Sequence, residues 1–164
     1  MIDPESRVIK SFEILQNSQY LKRMQQVAVG IIMKDGQVLA CQRRRTARYP
    51  LKWEFPGGKI EAGENAPQAL VRELREELGI EAIVGKQILH QEWAYPASAE
   101  DPGSDGSFRV FYFLVHAFTG DPVNKAFERI RWVSPSGLES MDILEGNRQA
   151  VALLVRHARE QQAA

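Results

Sequence analysis

The sequence predicts an α+β fold, and three observations carry that expectation. An Asp35-Gly36 turn joins two apolar runs, residues 26–33 and 38–44, in the pattern of a β-hairpin. Two further strand-like runs, residues 80–95 and 108–118, flank a loop rich in Pro, Gly, Ser and Asp. Two segments with helical apolar spacing, residues 66–78 and 145–161, complete the set. Elements of these kinds bury their apolar faces against one another in a layered domain.

Length and charge narrow the classes of function. The 164 residues suit one domain with a core of its own. Hydrophobic residues make up 44% and charged residues 26%, a soluble, globular composition. Lys plus Arg equals Asp plus Glu at 21 each, which argues against tight binding to a nucleic acid polymer. The single Cys41 excludes an internal disulfide framework and fits a reducing cytoplasm. No apolar run reaches membrane-spanning length, and no signal-peptide h-region opens the chain. There is no internal repeat and no low-complexity segment.

In chain order, residues 1–24 are a polar extension in which Val8, Phe12 and Leu15 have helical spacing, so a docked helix and a frayed leader are both open. Residues 26–33 and 38–44 form the hairpin, with Cys41 as a packing residue. Arg43, Arg44 and Arg45 read either as a surface charge run or as phosphate and base contacts at a pocket mouth. In the stretch KWEFPGG (residues 52–58), Trp53 and Phe55 are core or pocket residues, with Trp53 favoured as core. Gly57 and Gly58 allow backbone geometry closed to other residues.

The helix over residues 66–78 follows from its ends. Asn65 reads as the N-cap, and Gln68 three residues on completes a capping box. Pro67 falls in the first turn and Gly79 just past the last. At about 100° per residue, Leu70, Val71, Leu74 and Leu78 make the core stripe. Glu73 and Glu77 lie along the edge of that stripe beside Ala66 and Ala69, with Glu76 next to them. A solvated acidic face is a poor reading, because like charges at i,i+4 repel. Carboxylates clustered without His or Cys suit a hard divalent ion such as Mg²⁺ or Mn²⁺.

The remaining segments carry weaker signals. Residues 96–107 are either a mobile flap or a plain surface loop. Phe108, Val110, Tyr112, Leu114 and His116 fall on one face of the strand that follows. His90, His116 and His157 are expected to be structural. Residues 129–133 are a last strand, with a turn or short helix at Ser134-Pro135. The terminal helix turns Ala150, Val151, Leu153, Leu154 and Ala158 inward, and Asn147 stands at its start as a candidate N-cap.

The stretch from Gly58 to Ile80 resembles the Nudix box of the Nudix hydrolase family, G-x5-E-x7-R-E-U-x-E-E-x-G-U with U a bulky aliphatic residue. Gly58, Glu64, Arg72, Glu73, Leu74, Glu76, Glu77, Gly79 and Ile80 fill it without gap or substitution. The resemblance extends over about residues 25–157, and EFPGG is close to the MutT-type members. It implies an α/β/α sandwich around a mixed sheet, spanning residues 25–164 behind the 1–24 extension. It also implies a metal-dependent hydrolase of a nucleoside diphosphate linked to another group, here a (d)NTP such as 8-oxo-dGTP or CTP cleaved to NMP and pyrophosphate. ADP-ribose, a sugar nucleotide, a dinucleoside polyphosphate or a non-catalytic nucleotide-binding module are the alternatives.

The resemblance also assigns roles. Glu73 becomes the base or the partner of a metal-bound base, Glu76 and Glu77 metal ligands, and the Gly57 carbonyl a further ligand. Arg72 orients the carboxylates and Glu64 supports them. Arg43, twelve residues before Phe55, and Asn147 stand where MutT-type enzymes contact the nucleotide, and Asn147 therefore reads either as base reader or as helix cap. MutT-type enzymes take one more glutamate six residues before the last-strand tryptophan, which here is Ala126, and Glu128 is the candidate substitute. The expected partners are small nucleotides, with the chain a monomer or homodimer.

Overall fold

The computed structural model describes residues 24–96 and 106–164. The docked helix or leader expected before Met24, and the core of the expected flap, lie outside the described residues. The elements are β1 (Gln25–Lys34), β2 (Gln37–Gln42), β3 (Trp53–Glu54), β4 (Gly57–Lys59), α1 (Ala66–Leu78), β5 (Glu81–Ala94), β6 (Ser107–Thr119), β7 (Arg129–Val133) and α2 (Arg148–Ala163). Two 3-10 helices, Pro135–Ser140 and Glu145–Asn147, precede α2. Asp35 (φ 52°) and Gly36 (φ 74°) both take positive φ, the twist-matched turn that the Asp-Gly signal predicts.

The main sheet runs β3-β2-β1-β6-β5, with β4 added to β1 and β7 to β2. β1 is parallel to β6 and antiparallel to β2 and β4, so the sheet is mixed. Its strands are apolar on both faces because each face carries a helix. Ala28, Ile32, Leu39, Cys41, Phe113 and Val115 pack with Leu70, Leu74 and Leu78 of α1. Val29, Ile31, Val38, Ala40, Val110 and Tyr112 alternate with them and pack with Ala150, Val151, Leu154 and Val155 of α2. This is the expected α/β/α sandwich. Among the described residues no helix is long and apolar enough to cross a membrane.

The capping box of α1 is formed: Asn65 Oδ1 accepts from the Gln68 N–H, and Gln68 Oε1 accepts from the Asn65 N–H, both at 2.9 Å. Gly79, at φ 68°, ends the helix and donates its N–H to the Arg75 carbonyl. The buried arc differs from expectation. It takes in Ala69, while Val71 is half-buried. β4 packs along the Ala69 side of α1 and draws that edge inward.

One other expectation needs correction. In α2, Val155 is buried, whereas Leu153 and Ala158 are half-buried, because Ala150, Val151, Leu154 and Val155 form the ridge over the sheet. Both faces of β6 are covered, and His116 is exposed beyond the run of buried residues. β5 is one strand with register shifts against β6 between Ile83 and Leu89. Gly85 sits within that irregular stretch, where an added Cβ would lie 3.1 Å from both the His116 Cβ and the Leu114 carbonyl oxygen.

Leu74 is fully buried under the sheet. Leu74→Ala should therefore lower unfolding stability by about 2–5 kcal/mol in urea titrations. Asn65→Ala, which breaks only the cap, should cost about 1 kcal/mol. Equal effects of the two would contradict the packing described for α1.

Candidate active site

A pair of glycines lets the acidic edge of α1 press against the sheet. β4 places Gly58 opposite Ala28 and Gly57 opposite Val29 of β1. Gly57 has φ 146°, and a Cβ there would lie 2.1 Å from the Ala28 carbonyl oxygen, so no side chain fits. At Gly58 the obstacle is functional: a Cβ would meet the Glu73 carboxylate at 2.3 Å. The Gly57 N–H donates to Glu77 Oε2 at 3.0 Å.

Arg72 organises the other carboxylates. It holds Glu64 through both oxygens, from Nε at 2.7 Å and from Nη2 at 3.0 Å. Its Nη1 donates to Glu73 Oε1 at 2.9 Å and to Glu76 Oε2 at 3.4 Å, and Nη2 also reaches the Lys59 carbonyl. The guanidinium keeps the Glu64 carboxyl below the ordinary carboxylate range. The bidentate pair of Arg72 thus falls on Glu64, in the loop, and ties that loop to the helix.

Among the described residues Glu77 has no such cation. Burial pushes its pKa up to about 8; the Gly57 N–H opposes this, and the nearby Glu73, Glu54 and Glu76 raise it further. Among the described residues no three His, Cys, Asp or Glu side chains converge into a ready-made cage. The donor chemistry nonetheless fits a hard divalent ion, because Glu73, Glu76 and Glu77 offer only oxygen on one helix edge. A buried carboxylate starved of positive charge is also what a cation would relieve.

A cavity of about 540 Å³ opens beside this edge, lined by Gly57 and Glu77 at the carboxylate side. Arg43, Phe55 and Asn147 line the same cavity, as do Glu54, Tyr49, Trp93, Tyr95 and Phe108. Arg43 Nη1 donates to Glu54 Oε2 at 2.8 Å, and its Nε to the Arg48 carbonyl at 2.9 Å. Burial raises the Glu54 pKa, and the adjacent Arg43 pulls against that rise. Asn147 makes no side-chain cap bond to α2. Its Oδ1 instead accepts from the Phe55 N–H at 3.0 Å, so the cap reading is replaced by a tie between the residue before α2 and the residue after β3. Phe55 is both core and cavity wall, whereas Trp53 packs against the core.

The other singled-out residues fall elsewhere. Arg44 donates to the carbonyls of Lys125 and Ala126, and Arg45 pairs with Glu128 at 3.1 Å. Glu128 is not among the residues lining the cavity. Cys41 is buried and its thiol pKa is raised, chiefly by desolvation, as a packing residue requires. His90 stacks on Phe111 at 5.0 Å, His157 contacts Gln161, and neither they nor His116 line the cavity. Sequence reasoning passed over Glu54, Tyr49, Tyr95 and Tyr112. Glu54 left a signal, a charge set between two aromatics in a strand-like run. Tyr112 left none, because a tyrosine in an apolar strand reads as core.

The Glu77 shift has a stability consequence with a definite sign. The folded protein holds the proton to about pH 8, whereas the ordinary value is 4.5, so the folded state binds the extra proton between those limits. Its contribution is complete below the unfolded pKa and is lost as pH rises through the folded one. In EDTA, the thermal midpoint should therefore fall across this window relative to that of Glu77→Gln. The variant should be the more stable protein near the upper limit, because an amide oxygen still accepts from Gly57 and carries no charge. Parallel pH profiles for the two proteins would contradict the assignment.

Comparison with known proteins identifies the family. The NUDIX domain family profile matches residues 24–157. An 8-oxo-dGTP diphosphatase of Escherichia coli (strain K12) is 35% identical over 132 residues, covering 80% of this chain and 96% of the relative. A CTP pyrophosphohydrolase of the same organism is 39% identical over 113 residues, covering 69% of this chain and 78% of the relative. The solution structure of the E. coli ORF135 protein superposes with a TM-score of 0.71 at 30% identity, covering 87% of this chain and 95% of the other. With Glu73, Glu76 and Glu77 on one helix edge and a profile match spanning most of the chain, this protein belongs to the NUDIX family of hydrolases.

Proposed function

We propose that the protein is a divalent-cation-dependent nucleoside triphosphate pyrophosphohydrolase that converts a (d)NTP to its monophosphate and pyrophosphate. The observation that carries this reading is the shared cavity: Glu77 and Gly57 line the same space as Arg43 and Asn147. A phosphate chain lying against the carboxylate edge would then leave its base toward Asn147. The similar proteins named for 8-oxo-dGTP and CTP support a nucleoside triphosphate as substrate. The cavity volume suits a mononucleotide better than a polymer.

In this reading Glu73, Glu76, Glu77 and the Gly57 carbonyl would hold Mg²⁺, or Mn²⁺ in its place. A cation held there supplies charge neutralisation at the phosphate oxygens and acidifies the attacking water. Glu73 would take the proton of the attacking water as the water oxygen bonds to phosphorus and the phosphoanhydride bond breaks, with pyrophosphate as the leaving group. Arg72 keeps Glu73 in place, and Glu64 keeps Arg72 in place, through the bonds already described. Arg43, held by Glu54, keeps its charge at the cavity wall for a phosphate or base contact. Glu128 joins the carboxylates only by leaving Arg45.

Product analysis tests the reading, with NTPs, dNTPs, 8-oxo-dGTP, ADP-ribose, a sugar nucleotide and a dinucleoside tetraphosphate, each with Mg²⁺ or Mn²⁺. Monophosphate plus pyrophosphate is the expected outcome, and turnover of ADP-ribose or the sugar nucleotide alone would overturn it. Glu73→Gln, nearly isosteric but unable to take the proton, should cut turnover by about 10²–10⁴-fold while leaving the thermal midpoint close to normal. Near-normal turnover would remove Glu73 from its role.

A further inference from the structure

Asn147 is held at both ends of its amide by partners whose roles cannot be exchanged. The Phe55 N–H can only donate, so the atom 3.0 Å from it is the amide oxygen. At the other end, Asn147 Nδ2 lies 3.4 Å from the Tyr112 hydroxyl. That hydroxyl has one proton, and it is committed to the Gly146 carbonyl at 2.9 Å. The Tyr112 oxygen is therefore left as an acceptor, and it takes a second donor, Gln91 Nε2, at 3.2 Å. Gln91 Nε2 also bonds the Gly146 carbonyl, and the Gly146 N–H donates to the Tyr95 hydroxyl at 2.9 Å. A Cβ at Gly146 would stand 2.7 Å from that hydroxyl and would displace it.

Flipping the amide would set an NH₂ against the Phe55 N–H and a carbonyl against the Tyr112 oxygen, two repulsive contacts in place of two bonds. A primary amide offers two protons and two lone pairs. One of each is consumed here, which leaves one donor and one acceptor on a residue that lines the cavity. Tyr112 itself is fully buried between β1 and β5 and holds this arrangement from behind.

We infer that Tyr112 is the positioning residue for base selection: its hydroxyl fixes the orientation of the Asn147 amide, so the cavity selects a base that offers an acceptor beside a donor. This rests on the nucleotide reading proposed above. Oxidation of a guanine at C8 creates such an edge, N7–H beside O6, where guanine itself has two acceptors. Cytosine offers one through N3 and its amino group. The inference adds to the cavity a residue that acts through another, and Tyr112→Phe removes the hydroxyl while keeping the ring.

The test measures affinities of the full chain for 8-oxo-dGMP, dGMP and CMP by calorimetry in EDTA, which separates base selection from turnover. The unaltered protein should separate the tightest from the weakest of the three by about tenfold or more, the scale of one or two hydrogen bonds. Tyr112→Phe should weaken the tightest by about fivefold and leave the weakest nearly unchanged, narrowing the range. Asn147→Ala should narrow it as far or further, and adding Tyr112→Phe to Asn147→Ala should change nothing more. Gln91→Met, which removes a donor to the same hydroxyl, should narrow the range to a smaller extent. It carries the test if Tyr112→Phe fails to fold. With substrate and Mg²⁺, Tyr112→Phe should raise KM and spare kcat.

The failures are distinguishable. Equal affinities in the unaltered protein, or an Asn147→Ala variant with the full range of affinities, would overturn base reading by Asn147 and this inference with it. A narrowed range in Asn147→Ala together with an unchanged range in Tyr112→Phe would overturn the positioning role alone. A lowered thermal midpoint in Tyr112→Phe with intact selectivity would identify Tyr112 as a structural residue only.

Discussion

The structure depends on how closely α1 approaches the β4 backbone. A helix edge carrying Glu73 and Glu77 would ordinarily face water, and here it is pressed against Gly57 and Gly58. That approach is possible because Gly58 has no side chain, while Gly57 in turn lets β4 lie against the β1 backbone. The capping box and Gly79 set the length of α1 so that Leu70, Leu74 and Leu78 anchor it on the sheet. Apolar burial on one side of the helix thus offsets the cost of desolvating carboxylates on the other. Glu77 carries the clearest record of that cost, a carboxyl driven toward neutrality by its own burial.

Arg72 and Arg43 manage charge in different ways on the two sides of the cavity. Arg72 gathers Glu64, Glu73 and Glu76 and leaves Glu77 without a positive partner among the described residues. Arg43 is spent largely on Glu54 and on the backbone of Arg48, which fixes its direction at the cavity wall. The cavity is therefore bounded by an acidic edge short of positive charge and by an oriented guanidinium. Under the function proposed above, a phosphate chain would meet the guanidinium directly and the acidic edge through a cation held there.

At the other end, selectivity and folding share the same bonds. The Phe55 N–H would be an unpaired donor in the core without Asn147 Oδ1, and Asn147 would lack a fixed orientation without Phe55 and Tyr112. The network joins β3, β5, β6 and the start of α2, elements far apart in sequence. An amide satisfied on both sides by structure is rigid before any ligand arrives, and rigidity of that kind reduces the ordering cost of recognition.

Much of this was legible in the sequence, and the boundary has a physical cause. Signals that act within a few residues were readable: the Asp35-Gly36 turn, the Asn65 and Gly79 caps, the apolar repeat of α1 and the spacing that puts Glu73, Glu76 and Glu77 on one edge. Spacing also marked Gly57, Arg43 and Asn147, since the family resemblance is a pattern of positions. Partners were not readable, because a pairing across the fold leaves no local trace. The parallel pairing of β1 with β6, the Arg45 to Glu128 pair, the Arg43 to Glu54 pair and the bond from Phe55 to Asn147 each join residues that only the tertiary structure brings together. Tyr112 shows the limit most clearly: its ring follows from the apolar pattern of β6, but the work of its hydroxyl is decided by where Gly146, Gln91 and Asn147 arrive around it.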